Sequence, residues 1–484
     1  MFGSESHSHC HCGCCASMDR REFMTAVGAS ALAINVAATA LGAASPSAPA
    51  AARPRVRAVF LRPNTDKYWM GWPGASYDIH GRQADYTKTM ADAAQKLGVD
   101  LQVDAEPVVD LAGVSALAVE CTQSRPDGVI LIVGGLSPNY WPHAELFLAK
   151  RGEIPTIVFS PMGTSFTGHL QPSRKAAKCF VAATQDHSWL ATGVRMLWTI
   201  AQMDRTRLCI VNGEKTYDEK LAAIGTTLHH VPLRRWTDEL AKIGETAAMQ
   251  ALVAEFTRTA KKIVEPNAQD VLNSVKNYFV AKRIMAAENC QGISLNCLGL
   301  IGERKIPCPP CMAWLKLNDE LTPGICECDW NAGIGQRLCQ LLLGRPGFQQ
   351  DPAPNTVNNT LMGAHCSGPT RLRGPDQPAV PMVLRSHSES GLGVSPQVLW
   401  PEGEAITLMT FQGPKKILVG TGRVVANIDT PPAGGCRTSV ELQMDNVKDC
   451  RDCVGFHQLF LLGRHERLLQ AYAQLAGLEY GPIA

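Results

Sequence analysis

DGVILIVGG, residues 127–135, sets five branched or long apolar residues, Val129 to Val133, between glycines with no polar residue among them. A strand with one wet face alternates apolar and polar side chains, so an unbroken run reads as a strand buried on both faces. Two similar runs flank it, VRAVFL (56–61) upstream and PTIVFSP (155–161) downstream. Between the first two lie DYTKTMADAAQKLG (85–98) and LAGVSALAVECTQ (111–123), both with helical spacing, and the short strand VDLQVD (99–104). That alternation of strand and helix is the pattern of a parallel sheet with right-handed crossovers.

Outward from this unit the pattern repeats once and then changes. HSWLATGVRMLWTIAQ (187–202) reads as a helix, TRLCIVNG (206–213) as a strand, 237–289 as a long helical zone, and GISLNCLGLIG (292–302) as a strand. Beyond about residue 365 come short alternating runs, PMVLRSH (381–387), AITLMTFQ (405–412), KKILVGTGRVV (415–425) and TSVELQM (438–444), separated by Pro and Gly. RHERLLQAYAQLAGLEY (464–480) closes the chain as an amphipathic helix. The expected fold is α/β: two stacked Rossmann-like parallel-sheet domains (53–177 and 178–340), then a C-terminal antiparallel β-domain with a closing helix (341–484).

The 484 residues are 45% hydrophobic, enough for several cores. Net charge is +2, from 46 basic and 44 acidic residues, with no basic run that would follow a phosphate backbone, which argues against nucleic acid as a partner. No GxGxxG, GxxxxGK[ST] or GxSxG motif occurs, so nucleotide binding and the commonest serine-hydrolase chemistry lack support.

Near the N-terminus, Arg20 and Arg21 in MDRREFM precede an Ala-rich, weakly apolar stretch that ends in small residues and prolines. This reads as a twin-arginine export signal, cleaved between Ala43 and Ala52, over residues 1–52. The expected location is periplasmic or otherwise extracytoplasmic, and cytoplasmic if the signal is not used; no stable membrane span is expected after cleavage. HSHCHCGCC (7–15) has the composition of a soft-metal arm, but it precedes the signal, and residues 1–17 read as removed or not translated.

Eighteen cysteines are present, including the pairs CPPC (Cys308, Cys311) and CRDC (Cys450, Cys453). Structural thiols or disulfides come first as a reading of these pairs; two halves of a zinc site come second. The same choice arises in GICECDW (324–330), where Cys326 and Cys328 alternate with Glu327 and Asp329. On an extended segment, alternation sends the thiols to the face opposite the carboxylates, making them packing residues.

The second half also holds Asp351 in RPGFQQDPAP, His365 in LMGAHCSGP and His457 in VGFHQLF. Carboxylates with one or two imidazoles suit a divalent ion, Mn²⁺ before Mg²⁺ or Co²⁺. Satisfied core histidines and helix-capping acids are the plain alternative. Pro352 is expected to hold Asp351 in a loop.

CECDWNAG resembles the Glu-x-Asp-Trp segment of the L-arabinose isomerase family and its relatives. GAHCSGP is similar to that family's Gly-x-His segment, and GFHQLFLLGRHERLLQAYAQLAGLEY to its C-terminal tail. RPNTDKYWMGW (62–72) resembles the opening of L-fucose isomerase. The resemblance implies a metal-dependent aldose–ketose isomerase acting on a pentose or deoxyhexose. Glu327, Asp351 and His457 are then the metal ligands, with Glu327 and Asp351 also moving protons. Arg62, Trp69, Trp72, His365 and His387 become candidates for contact with the sugar, and homo-oligomers are implied. Gln350 stands where the arabinose enzymes carry a glutamate, which leans toward the fucose type. An exported sugar-binding or sensor protein, and a catalytically degenerate member of the family, remain as alternatives.

Overall fold

The computed structural model describes residues 52–69, 76–136, 138–431 and 434–484. The export-signal reading, the His/Cys segment and Trp72 lie outside the described residues. The first sheet comprises β1 (Arg55–Leu61), β2 (Asp100–Val103), β3 (Gly128–Val133), β4 (Thr156–Pro161) and β5 (Cys179–Thr184). All pairs are parallel, in the order β2-β1-β3-β4-β5, that of a doubly wound flavodoxin-like sheet. Every residue of β3 and β4 is buried, as their unbroken apolar runs require.

The second sheet holds β6 (Arg207–Val211), β7 (Tyr217–Lys220), β8 (Thr227–Val231), β9 (Gly292–Leu295) and β10 (Gly324–Cys326). Its order is β10-β9-β6-β8-β7, parallel except for the β7 edge. The C-terminal region is a closed barrel of six antiparallel strands: β11 (Phe348–Asn355), β12 (Thr360–His365), β13 (Ala405–Gln412), β14 (Lys416–Asn427), β15 (Thr438–Met444) and β16 (Gln458–Leu462). The β13–β14 pairing closes the ring, and the final strand Glu479–Pro482 adds alongside β14. Closure leaves the six strands without the free edges an open sheet would carry.

Several expectations change. β5 pairs with β4 although it lies past residue 177, so the first sheet runs to Thr184. The helix Trp330–Leu343 runs across the boundary expected at 340. GISLNCLGLIG divides into β9 and the helix Cys297–Gly302, and 237–289 into parts of three helices around a two-residue strand, Lys262–Ile263. That strand pairs with Met382–Arg385, which itself pairs with Ser395–Val398, so PMVLRSH belongs to a side sheet and not to the barrel.

The helix Trp330–Leu343 couples sheet to barrel. A Cβ at Gly333 would lie 2.7 Å from Ile325 Cδ1 in β10, and one at Gly335 would lie 3.1 Å from Leu459 Cδ1 in β16. Glycine costs about 1 kcal/mol of helix propensity at each position, and here it permits close approach on both sides. One apolar core runs from Phe60 and Ile157 through Leu208 and Ile325 to Met409 and Leu459. The closing helix Glu466–Ala476 packs back on β5 of the first sheet. Among the described residues no helix is long and apolar enough to cross a membrane.

Candidate metal centre

Glu327 follows the carboxyl end of β10, where parallel sheets place ligand sites. Extended structure stops at Cys326: Glu327 and Cys328 are both left-handed, with φ of 59° and 57°. Such conformations cost roughly 1–3 kcal/mol for a residue with a side chain. The alternation argued for Cys326 and Cys328 is thereby overturned, because the chain turns at Glu327 instead of continuing as a strand. Local bonds hold the turn: Cys328 N donates to Ser294 Oγ at 2.9 Å and Asp329 N to Cys326 O at 3.2 Å. Asp329 then caps the helix Trp330–Leu343, its Oδ1 accepting from the N–H groups of Asn331 and Ala332.

Strand β11 is fastened to this turn. Gln349 Oε1 accepts from Cys326 N at 3.0 Å, and its Nε2 donates to Cys326 O at 3.2 Å. Asp351, two residues on, lies on the same face of β11, while Gln350 points the other way and donates to Gln458 at 3.3 Å. Gln350 is completely buried there. Asp351 is in a strand and not a loop. Pro352 and Pro354 are tolerated because their missing N–H groups share one edge of β11, and β16 pairs only with Phe348–Gln350.

Four of the expected residues come together. His457 Nε2 lies 3.2 Å from Asp351 Oδ1 and 3.7 Å from Glu327 Oε2, and His365 Nε2 lies 3.8 Å from Glu327 Oε1. Donor atoms of Glu327, His365 and His457 all fall within 4.8 Å of one another, an arrangement that can hold a metal ion. His365 Nε2 is buried without a hydrogen-bond partner, and His457 Nε2 and Asp351 Oδ1, buried as well, have only their 3.2 Å contact with each other. Buried polar atoms are almost always fully partnered, so these three atoms beside the Glu327 carboxylate fit a cation or a polar ligand.

The two imidazoles differ in their outer bond. His457 Nδ1 lies 2.8 Å from Asp329 Oδ2, an acceptor that fixes the proton on Nδ1 and leaves the Nε2 lone pair for a metal. His365 Nδ1 accepts from the backbone N–H of Cys366 at 2.9 Å, which in the neutral ring places the proton on Nε2. His457 is thus built as a ligand, and His365 as a donor toward an oxygen in the site.

Burial lowers the proton affinity of His457, but Asp329 and Asp351 outweigh it and raise its pKa to about 9. Burial raises Glu327 above the usual carboxylate range, against the two histidines. Burial acts in the same sense on Asp329, yet its bonds from His457 and the helix N–H groups hold it below that range.

The remaining candidates make none of these contacts among the described side chains. Arg62, at the end of β1, is buried and donates to Gln83 Oε1 and to the carbonyl of Pro63. Trp69 ends the short strand Lys67–Trp69. His387 groups with Cys311 and Cys366 instead of Glu327. Asp329 was missed as a site residue, although an Asp directly ahead of WNAGIG has the signature of a helix cap. All fourteen described cysteines are free thiols; Cys308 receives a bond from Asn277 Nδ2 at 3.2 Å. Neither the protein-family models nor the curated proteins compared with the chain give a match.

Proposed function

We propose that the protein is a metal-dependent aldose–ketose isomerase that acts on a pentose or deoxyhexose through an enediol. The observation that carries this reading is the cluster of buried donor atoms, His457 Nε2, Asp351 Oδ1 and His365 Nε2, gathered about the Glu327 carboxylate with no partner outside the cluster. Two carboxylates and an imidazole are a donor set for Mn²⁺, with Mg²⁺ and Co²⁺ as chemical neighbours. Glu327, Asp351 and His457 would hold the ion, which when bound supplies a Lewis acid for negative charge developing on the sugar oxygens.

The residues of the chain do the rest. Isomerisation moves a proton from C2 to C1 and another between the two oxygens. Glu327, raised by burial, is suited to take a proton and return it one carbon away. Asp351, whose side chain keeps 41% of its exposure, faces the open side and services the hydroxyl proton. The Nε2–H of His365 donates to a sugar oxygen. The resemblance of CECDWNAG and GAHCSGP to the sugar-isomerase segments supports the same assignment and extends it to an exported homo-oligomer.

The test is turnover of aldopentoses and 6-deoxyaldohexoses by the full chain after chelation and again after Mn²⁺ is restored. Ketose formation that needs the metal and disappears in Glu327→Gln supports the reading. Saturable sugar binding with no turnover under any of these metals points to a binding protein instead.

A further inference from the structure

We propose that Cys311, Cys366 and His387 form a second metal site, one for a thiophilic cation of the zinc(II) or copper(I) kind. Their ligand atoms all lie within 4.8 Å of one another, and they come from three separate segments: the start of the helix Cys311–Asp319, the residue after β12, and the turn after Met382–Arg385. Convergence from distant parts of the chain is what a built site requires and what chance packing of one cysteine pair does not supply.

The donor set decides the class of cation. Two thiolates and an imidazole prefer zinc or copper(I), whereas the oxygen-rich Glu327 centre prefers harder ions, so the two sites are chemically distinct. Cys311 and His387 are 1% and 3% exposed, which shields the sulfur from bulk water. His387 Nδ1 lies 2.9 Å from Ser390 Oγ, an outer bond that fixes the ring and leaves Nε2 to ligate. The backbone beside both thiols is fixed as well: Ser367 Oγ donates to Cys311 O at 2.7 Å, and Ser395 Oγ donates to Cys366 O. Cys326 also lies within 4.8 Å of Cys366, but in a separate group with His365, so the fourth position of a tetrahedral ion on Cys311, Cys366 and His387 is left to an exogenous ligand.

The dipeptide His365–Cys366 joins the two centres, with His365 Nδ1 3.4 Å from Cys366 Sγ. A cation on Cys366 would therefore act on the ring that faces Glu327. The sulfur site itself does not depend on the isomerase reading.

Cobalt(II) is the probe, because its bond to thiolate produces a near-ultraviolet charge-transfer band that oxygen and nitrogen ligands do not. The full chain, reduced and freed of metal by chelation, is expected to show this band at one equivalent and to lose it when zinc is added. Glu327→Gln and Cys339→Ser, the latter removing a buried thiol beside Met409, should retain it. Cys366→Ser should abolish it, and His387→Gln should weaken cobalt binding by at least about tenfold, on the order of losing one ligand or its support. Absence of the band in the unaltered chain overturns the proposal, as does its persistence at full strength in His387→Gln. A Cys311–Cys366 or Cys326–Cys366 disulfide in the freshly purified protein, found by peptide mass mapping, also overturns it. His387→Gln keeps both thiols, so it decides the matter if a serine variant fails to fold.

Discussion

The Nδ1 atom of His457 lies 2.8 Å from the Oδ2 of Asp329, so one carboxylate both caps the helix Trp330–Leu343 and sets the tautomer of a residue 128 positions later in the chain. Asp329→Asn separates these duties. Asparagine caps as well as aspartate, so the helix end keeps its bonds, but the apo protein loses the ion pair with protonated His457 and should be less stable by about 1–3 kcal/mol at neutral pH. Support for the imidazole is lost, and Mn²⁺ affinity should fall about 10–100-fold. Metal titration beside a thermal melt checks both, and unchanged affinity would remove the positioning role.

Glu327→Gln should lower turnover by about 10²–10⁴-fold, the usual contribution of a positioned acid–base group, and should weaken metal binding as well. The two histidines are expected to behave differently. His457→Gln should lose the metal, whereas His365→Gln should keep metal stoichiometry and lose turnover. Bound manganese measured by elemental analysis, beside steady-state kinetics, separates them; equal metal loss in both would refute the donor role given to His365.

Metal uptake should release a proton. With a pKa of about 9 in the metal-free state, His457 is protonated at pH 7.5 and must shed that proton to ligate. Apparent affinity should rise about tenfold per pH unit and level off above about pH 9. Calorimetry in two buffers of different ionisation enthalpy counts the proton directly, and a count of zero contradicts the assignment.

Burial pushes Asp319 up to about 6 from 3.8, against the bonds it accepts from Thr370 and Arg371. The folded state therefore binds more protons here than the unfolded one. Its stabilising contribution is complete below the unfolded value and is lost as pH rises through about 6, a swing of about 3 kcal/mol. Asp319→Asn keeps acceptors for the same N–H groups and should flatten this part of the profile. Urea unfolding at pH 4.5 and 7 provides the comparison; an identical slope in parent and variant would sink the claim.

Gly363 tests the barrel that carries His365. An added methyl would sit 2.3 Å from Phe460 Cε2 and 2.6 Å from Gln350 Oε1, both in a packed interior. Gly363→Ala should destabilise by about 1–3 kcal/mol through overpacking. A melting temperature equal to that of the parent would mean that Phe460 moves freely.

Strand runs such as Val129–Val133 and Ile157–Phe159 were legible because burial on two faces leaves no polar residue to interrupt them. The closing helix Glu466–Ala476 was legible as well, from its apolar stripe. Asp351 was misjudged because Pro352 is a strand breaker only where its N–H would be needed, and whether a neighbouring strand reaches that position is not a local property. Closure of the barrel was hidden for a related reason, since the β13–β14 pairing joins a hairpin that also looks complete in an open sheet.

The sequence by itself determined which chemical groups are present, their order and the periodicity of the elements that carry them, because these depend on composition and spacing along the chain. Only the tertiary structure decided that His457 turns one nitrogen to Asp329 and the other to Glu327 and Asp351, that His365 faces the same carboxylate with opposite polarity, and that Cys366 joins Cys311 and His387. These are contacts between residues far apart in the chain, and their geometry follows from how sheet, helix and barrel pack against one another, which no short stretch of residues encodes.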